Sequence, residues 1–231
     1  MFKHFAILMI AAVLTVSNVA AQSNNEMTIE ESYLRETIEL MIIRETARAS
    51  SREQKEVALQ YIGDAIQRGN KNDDIRQTLE FLSREGRRSI AMENGRVVNN
   101  FPDIRRQSAK YLGQLGTEEA RQTLLQICQY ENEPMVLQEA IKSLGDIGVV
   151  DDNNDTFIFI SWVFDRFDNL NPDNIMAIAT IDTFEKIARR NNGIKSPEAI
   201  ATLRRITEGH YITPVKERAM QLLSDLRGYG N

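Results

Sequence analysis

From Thr28 onward, apolar residues recur at intervals of three and four, Gly and Pro fall between the periodic stretches, and no sustained alternation of period two occurs. This pattern predicts one amphipathic helix after another. Several starts carry capping chemistry. Thr28 with Glu31 makes a capping box for a helix running to about Ala47, and Thr117, Ser196-Pro197 and Thr213-Pro214 each supply an N-cap or an N-cap followed by Pro. The fold class is all-α, with about ten helices expected from the periodic segments.

The helices repeat. Ile104 to Gly116 and Val136 to Gly148 share a leading apolar residue, a small pair and a hydrophobic-Gly step, and weaker copies start at Gln54, Met176 and Val215. Counted from the leading residue, positions 0, +4, +5, +8 and +11 are apolar or small, and at about 100° per residue they span an arc of roughly 140°. One buried stripe per helix follows. Each copy is preceded by another amphipathic segment: 29–47, 73–84, 118–129, 156–167 and 197–208. About five helix pairs of this kind cannot each close a core alone, so they are expected to stack on their neighbours as an α-solenoid over 28–231. Gly63, Gly113 and Gly145 stand at +9. A helical glycine costs about 1 kcal/mol against alanine, so these are expected to admit the close approach of the next helix.

The Ile104-Arg105, Ser108-Ala109 and Leu112-Gly113 run, with its counterpart from Val136, resembles the second helix of HEAT repeats, including the short variety of phycobilisome-lyase-type proteins. The resemblance implies an α-solenoid whose second helices line a concave, macromolecule-binding side, and it brings no catalytic motif. The basic residue that follows the leading apolar one in that family is present as Arg105 and Lys216 and replaced by Leu137 and Ala177.

The N-terminus reads differently. Lys3 and His4 precede the apolar stretch from Phe5 to Val16, and Val19-Ala20-Ala21 gives the small-residue pattern of a cleavage site. Residues 1–21 are therefore expected to be a signal peptide, 22–27 a short polar segment, and the product exported to a periplasmic or extracellular space. The apolar stretch falls short of the roughly 20 residues that span a bilayer. With 28 Lys+Arg against 33 Asp+Glu the formal charge is −5, and losing Lys3 makes it −6. That acidity argues against nucleic acid or anionic membrane as a partner. One cysteine, Cys128, and one histidine besides His4, His210, exclude a disulfide framework and a Cys/His zinc site within one chain.

Residues 86–102 form the longest break in the helical pattern, an insertion in which Asn94-Gly95 marks a hairpin turn. From Arg84 to Arg106 six arginines face three acids. Arg96, Arg105 and Arg106, followed by Lys110 and Tyr111 on the same second helix, are the candidate anchor for an acidic protein or peptide, because arginine makes bidentate bonds to carboxylate. Tyr61 and Tyr111 share position +7 at the stripe's border, and Lys142 lies on the matching polar arc of the next copy. A solvated loop and packed tyrosines are the competing readings. The acidic run 151–155 lacks the Gly and the terminal Glu of a calcium loop. His210 at a helix end, Cys128 on an apolar face and the Asp165/Asp168 pair give no catalytic set. The sequence thus points to a non-enzymatic scaffold without cofactor or metal. A lyase- or chaperone-like enzyme cradling a small ligand and a structural part of an envelope assembly remain as alternatives; a deep apolar pocket with titratable groups would mark the enzyme, and a shallow, open polar groove the scaffold.

Overall fold

A computed structural model describes residues 28–148, 155–168 and 172–229. The expected signal peptide, the 22–27 segment and the acidic run up to Asn154 lie outside the described residues. Ten helices are present among those described: α1 (Ile29–Arg48), α2 (Arg52–Gln67), α3 (Asp73–Ser83), α4 (Pro102–Leu115), α5 (Glu118–Tyr130), α6 (Pro134–Ile147), α7 (Asp155–Asp168), α8 (Asn174–Asn191), α9 (Pro197–Glu208) and α10 (Thr213–Gly228). Strands β1 (Met92–Glu93) and β2 (Arg96–Val97) pair antiparallel between α3 and α4.

The chain divides into two units, 1–38 and 39–231. In the first, the capping box closes as expected: Glu31 N–H donates to Thr28 Oγ1 at 3.2 Å, and Thr28 N–H to the Glu31 carboxylate at 3.0 Å. Ile29, Tyr33, Leu34 and Ile38 are exposed there.

In the second unit the helices pack in neighbouring pairs, α3 with α4, α5 with α6 and α9 with α10, and the second helices α4, α6 and α8 pack most intimately on one another. Ser51, Asn72, Thr117, Asp173 and Ser196 each accept a hydrogen bond from a first-turn N–H. Thr213 departs from expectation. It is the first helical residue, ahead of Pro214, and Ile212 occupies the cap position without a side-chain bond.

The predicted stripe is the core. Ala58, Leu59, Ile62 and Ala65, then Ile104, Ser108, Ala109, Leu112 and Leu115, then Met176, Thr180, Ile181, Phe184 and Ile187 are all buried. The glycines act as expected and in a fixed register. A Cβ on Gly63 would lie 2.3 Å from the Tyr111 hydroxyl, one on Gly113 2.7 Å from Ser143 Cβ, and one on Gly145 3.1 Å from Thr183 Cγ2. In every case +9 of one second helix faces +7 of the next. Thr183 also donates to the Ile141 carbonyl at 3.0 Å, tying α8 to α6. The last copy breaks the pattern: Met220, at +5, is exposed. Position +9 of α8 is Glu185, whose carboxylate pairs with Arg218 of α10 at 3.1 Å, so an ion pair stands where the earlier helices touch.

Candidate functional site

Position +1 is buried as well in α2, α4, α6 and α8, and in α2 and α4 it carries a charge; its equivalent in α10, Lys216, is only half-buried. Lys55 is 1% exposed; its ammonium donates to the Ala47 carbonyl at 2.9 Å and pairs with Glu85 at 2.7 Å. Arg105 is 0% exposed. Its Nε donates to Glu131 Oε2 at 2.6 Å, and its Nη1 to Asn100 Oδ1 at 2.9 Å and the Glu85 carbonyl at 3.1 Å. Burial pushes the Glu131 carboxyl upward. The Arg105 bond, the Glu133 N–H, the Arg105 charge and the Asn132 N–H outweigh it and hold the group below its ordinary value. Arg105 is therefore a clamp between the insertion and the repeat, and its place in the anchor patch is corrected: a guanidinium with no surface exposed to solvent is out of a partner's reach. Leu137 and Ala177, equivalent in register, are buried without charge.

The insertion is a hairpin. Asn94 and Gly95 both have positive φ, 49° and 75°, the geometry of a type I′ turn, and Met92 faces Val97 while Glu93 faces Arg96. Asn99 pins its base, donating to the Ser89 carbonyl and accepting from the Ala91 N–H. Arg96 is exposed on this hairpin, on a different element from Arg106 and Lys110 of α4.

The other candidates do share a face. Arg106 (+2), Lys110 and Lys142 (+6) lie on the polar arc of α4 and α6; Tyr61 and Tyr111 (+7) border it on α2 and α4. Tyr111 is half-buried over Gly63, and Tyr61 is exposed. Pairs cross-link this face between repeats: Arg106 to Glu139 at 3.3 Å and Lys186 to Asp146 at 2.6 Å. Lys110 and Lys142 have no such partner among the described residues. They occupy the same position on adjacent helices, whose axes typically lie about 9 Å apart. Beside Tyr111, between α2 and α4, runs an open groove of about 520 Å³ lined by Arg52, Glu56, Gln60, Asp103, Gln107 and Tyr111 itself. Arg52 bridges Glu56 at 2.7 Å and Asp103 at 2.6 Å there. Glu56 and Gln60 were not singled out from sequence, although counting +2 and +6 from Gln54 locates both.

The chemically reactive residues are dispersed. Cys128 is buried, and burial pushes its thiol up to about 12. His210 is exposed just after α9. Asp165 pairs with Arg205, and Asp168 accepts the Tyr211 hydroxyl at 2.5 Å; burial first, and that bond second, raise the phenol. Among the described residues, no group of three His, Cys, Asp or Glu side chains is placed to hold a metal ion, and no helix is long and apolar enough to cross a membrane.

Residues 96–156, which take in α4, α5 and α6, match the family model described as HEAT repeats. No curated protein and no solved structure gives a significant match to the chain. With its helices packed in neighbouring pairs and its second helices stepped through glycine, the chain is a helical protein that carries HEAT repeats.

Proposed function

We propose that the chain is an exported, non-enzymatic scaffold that holds acidic protein or peptide segments on its second-helix face. The observation that carries this reading is the pair of unpartnered lysines, Lys110 and Lys142, at one register on adjacent helices of an otherwise cross-linked polar face. Two ammonium groups so placed match a segment bearing carboxylates at a similar spacing. Arg106, half-exposed beside Glu139, is available for a third bond, and Tyr61 for an aromatic contact. The groove alongside is shallow, open and polar, a surface suited to extended chain rather than to a sequestered small molecule.

The test is a peptide array of acidic, neutral and basic segments probed with the protein and with a Lys110→Glu/Lys142→Glu variant. Acidic segments should dominate, binding should weaken as salt rises, and the variant should lose at least tenfold in affinity with helical circular dichroism unchanged. Equal binding across the three classes, or an unaffected variant, would overturn the reading. Export has its own check: N-terminal sequencing of the protein recovered outside the cytoplasm should begin near Gln22, and material beginning at Met1 would contradict it.

A further inference from the structure

Two exposed features of the second unit lie away from the second-helix face. One is the hairpin, where Ile90, Met92, Val97 and Val98 are all between 43% and 60% exposed. An apolar ribbon left bare in this way is a ready interaction element. The other is a groove of about 710 Å³ between the first helices α7 and α9. Ile158 and Trp162, one turn apart and exposed, line it from α7 and Arg204 and Glu208 from α9, and Asp165 of α7 and Arg205 of α9, which also line it, pair with each other between the two walls. The guanidinium of Arg166 sits 4.8 Å from the Trp162 ring centroid.

The charges of the two features complement each other. Glu93 and Arg96 face each other across the hairpin, and Arg204 and Glu208 stand four residues apart on α9. None of the four has an ion pair or side-chain hydrogen bond among the described residues. Directly opposed strand residues have Cα atoms about 5 Å apart, and helical residues at i and i+4 are separated by about 6 Å. The two pairs can therefore meet in antiparallel fashion, Arg96 on Glu208 and Glu93 on Arg204. Side chains alternate across a ribbon, so while Glu93 and Arg96 face α9, Met92 and Val97 face the opposite wall, which is Trp162 and Ile158.

We propose that the hairpin of one copy of this chain seats in the α7–α9 groove of a second copy, Met92 and Val97 against Trp162 and Ile158, with Arg96 and Glu93 paired to Glu208 and Arg204. The contact joins two different surfaces, so each copy keeps a free hairpin and a free groove, and assembly runs head to tail. It is independent of the lysine face.

Sedimentation velocity of the purified protein over a concentration series tests it. The mass should rise past the dimer with concentration. Trp162→Ala and Met92→Glu should each leave a monomer with an unchanged thermal melt. A mixture of those two variants should give a 1:1 complex and nothing larger, because one intact hairpin and one intact groove remain between them. Arg96→Glu should weaken association at least tenfold, and adding Glu208→Arg to it should restore association to within about threefold. A wild-type protein that stays monomeric to several hundred micromolar overturns the proposal. So does an assembly that survives Trp162→Ala and Met92→Glu, or one that is abolished by Lys110→Glu/Lys142→Glu. Monomers that instead bind a foreign basic-apolar peptide in the groove would reassign its occupant and count against a second copy.

Discussion

Between α4 and α8 the second helices meet through glycine, whereas between α8 and α10 the same register position holds Glu185. Gly113 faces Ser143 at distances that leave no room for a methyl group unless Ser143 Cβ or the backbone moves, and Gly145 faces Thr183, where a methyl group would sit 3.1 Å from Cγ2 and 3.2 Å from Cα, a fit that needs Thr183 to give way slightly. Glu185 instead reaches Arg218, which also pairs with Asp182 at 2.7 Å, and the stripe residue Met220 is exposed. Charge follows the same division. In the tight section the ion pair of Arg105 with Glu131 is sealed from water; in the loose section Arg218 is 48% exposed. One register thus produces either backbone-close packing with a buried clamp or a surface held by solvated pairs. The cost of a substitution should depend on which section it enters.

The largest effect is expected from Ala109→Asp, which places an unpaired carboxylate in a fully buried site and should cost several kcal/mol, on the order of 3–5. Gln107→Asp, on the polar arc two residues earlier, should change thermal stability little. Equal melting temperatures for the two would refute the helical phase on which the comparison rests. Arg105→Ala comes next, at about 3–5 kcal/mol, since it strands Glu131 in a buried site; Arg218→Ala should cost under about 1 kcal/mol. Denaturant titration of both gives the ratio directly. Gly113→Ala should then destabilise by about 1–3 kcal/mol despite alanine's better helix propensity, because Ser143 Cα and Cβ lie in its way. Glu185→Ala should stay within about 1 kcal/mol of the parent. A stabilising Gly113→Ala would mean that the helices can separate freely.

A smaller effect concerns acid. The Glu131 carboxyl is held low in the folded chain, so the stability it contributes is present above its unfolded value of about 4.3 and is lost as pH falls through the lower folded value. The melting temperature should therefore decline below about pH 4, and Glu131→Gln should flatten that part of the curve. An unchanged slope in the variant would remove Glu131 from the account.

The stacked architecture was legible because burial stripes and glycines are local signals: Gly63, Gly113 and Gly145 announced close approach, and Asn94-Gly95 announced the turn. The fate of Arg105 was not. It stands next to the stripe, and whether such a residue faces water or the interior depends on Glu131, Asn100 and the Glu85 carbonyl, which reach it from other parts of the chain. Met220 misled for the opposite reason: its spacing is right, yet Glu185 and Arg218 occupy the seam between α8 and α10. The lysine pair was visible as two separate residues. Their lack of partners shows only once Arg106, Glu139, Asp146 and Lys186 are seen bonded around them.

The central claim, that the second-helix face takes carboxylates through Lys110 and Lys142, is tested most directly by zero-length carbodiimide cross-linking, which joins an amine to a carboxylate only where the two are in contact. With an acidic peptide selected on the array, mass spectrometry should find the cross-links on Lys110 and Lys142 and a strong reduction at high salt. Cross-links concentrated instead on Lys71, Lys195 or Lys216, or insensitive to salt, would contradict the claim.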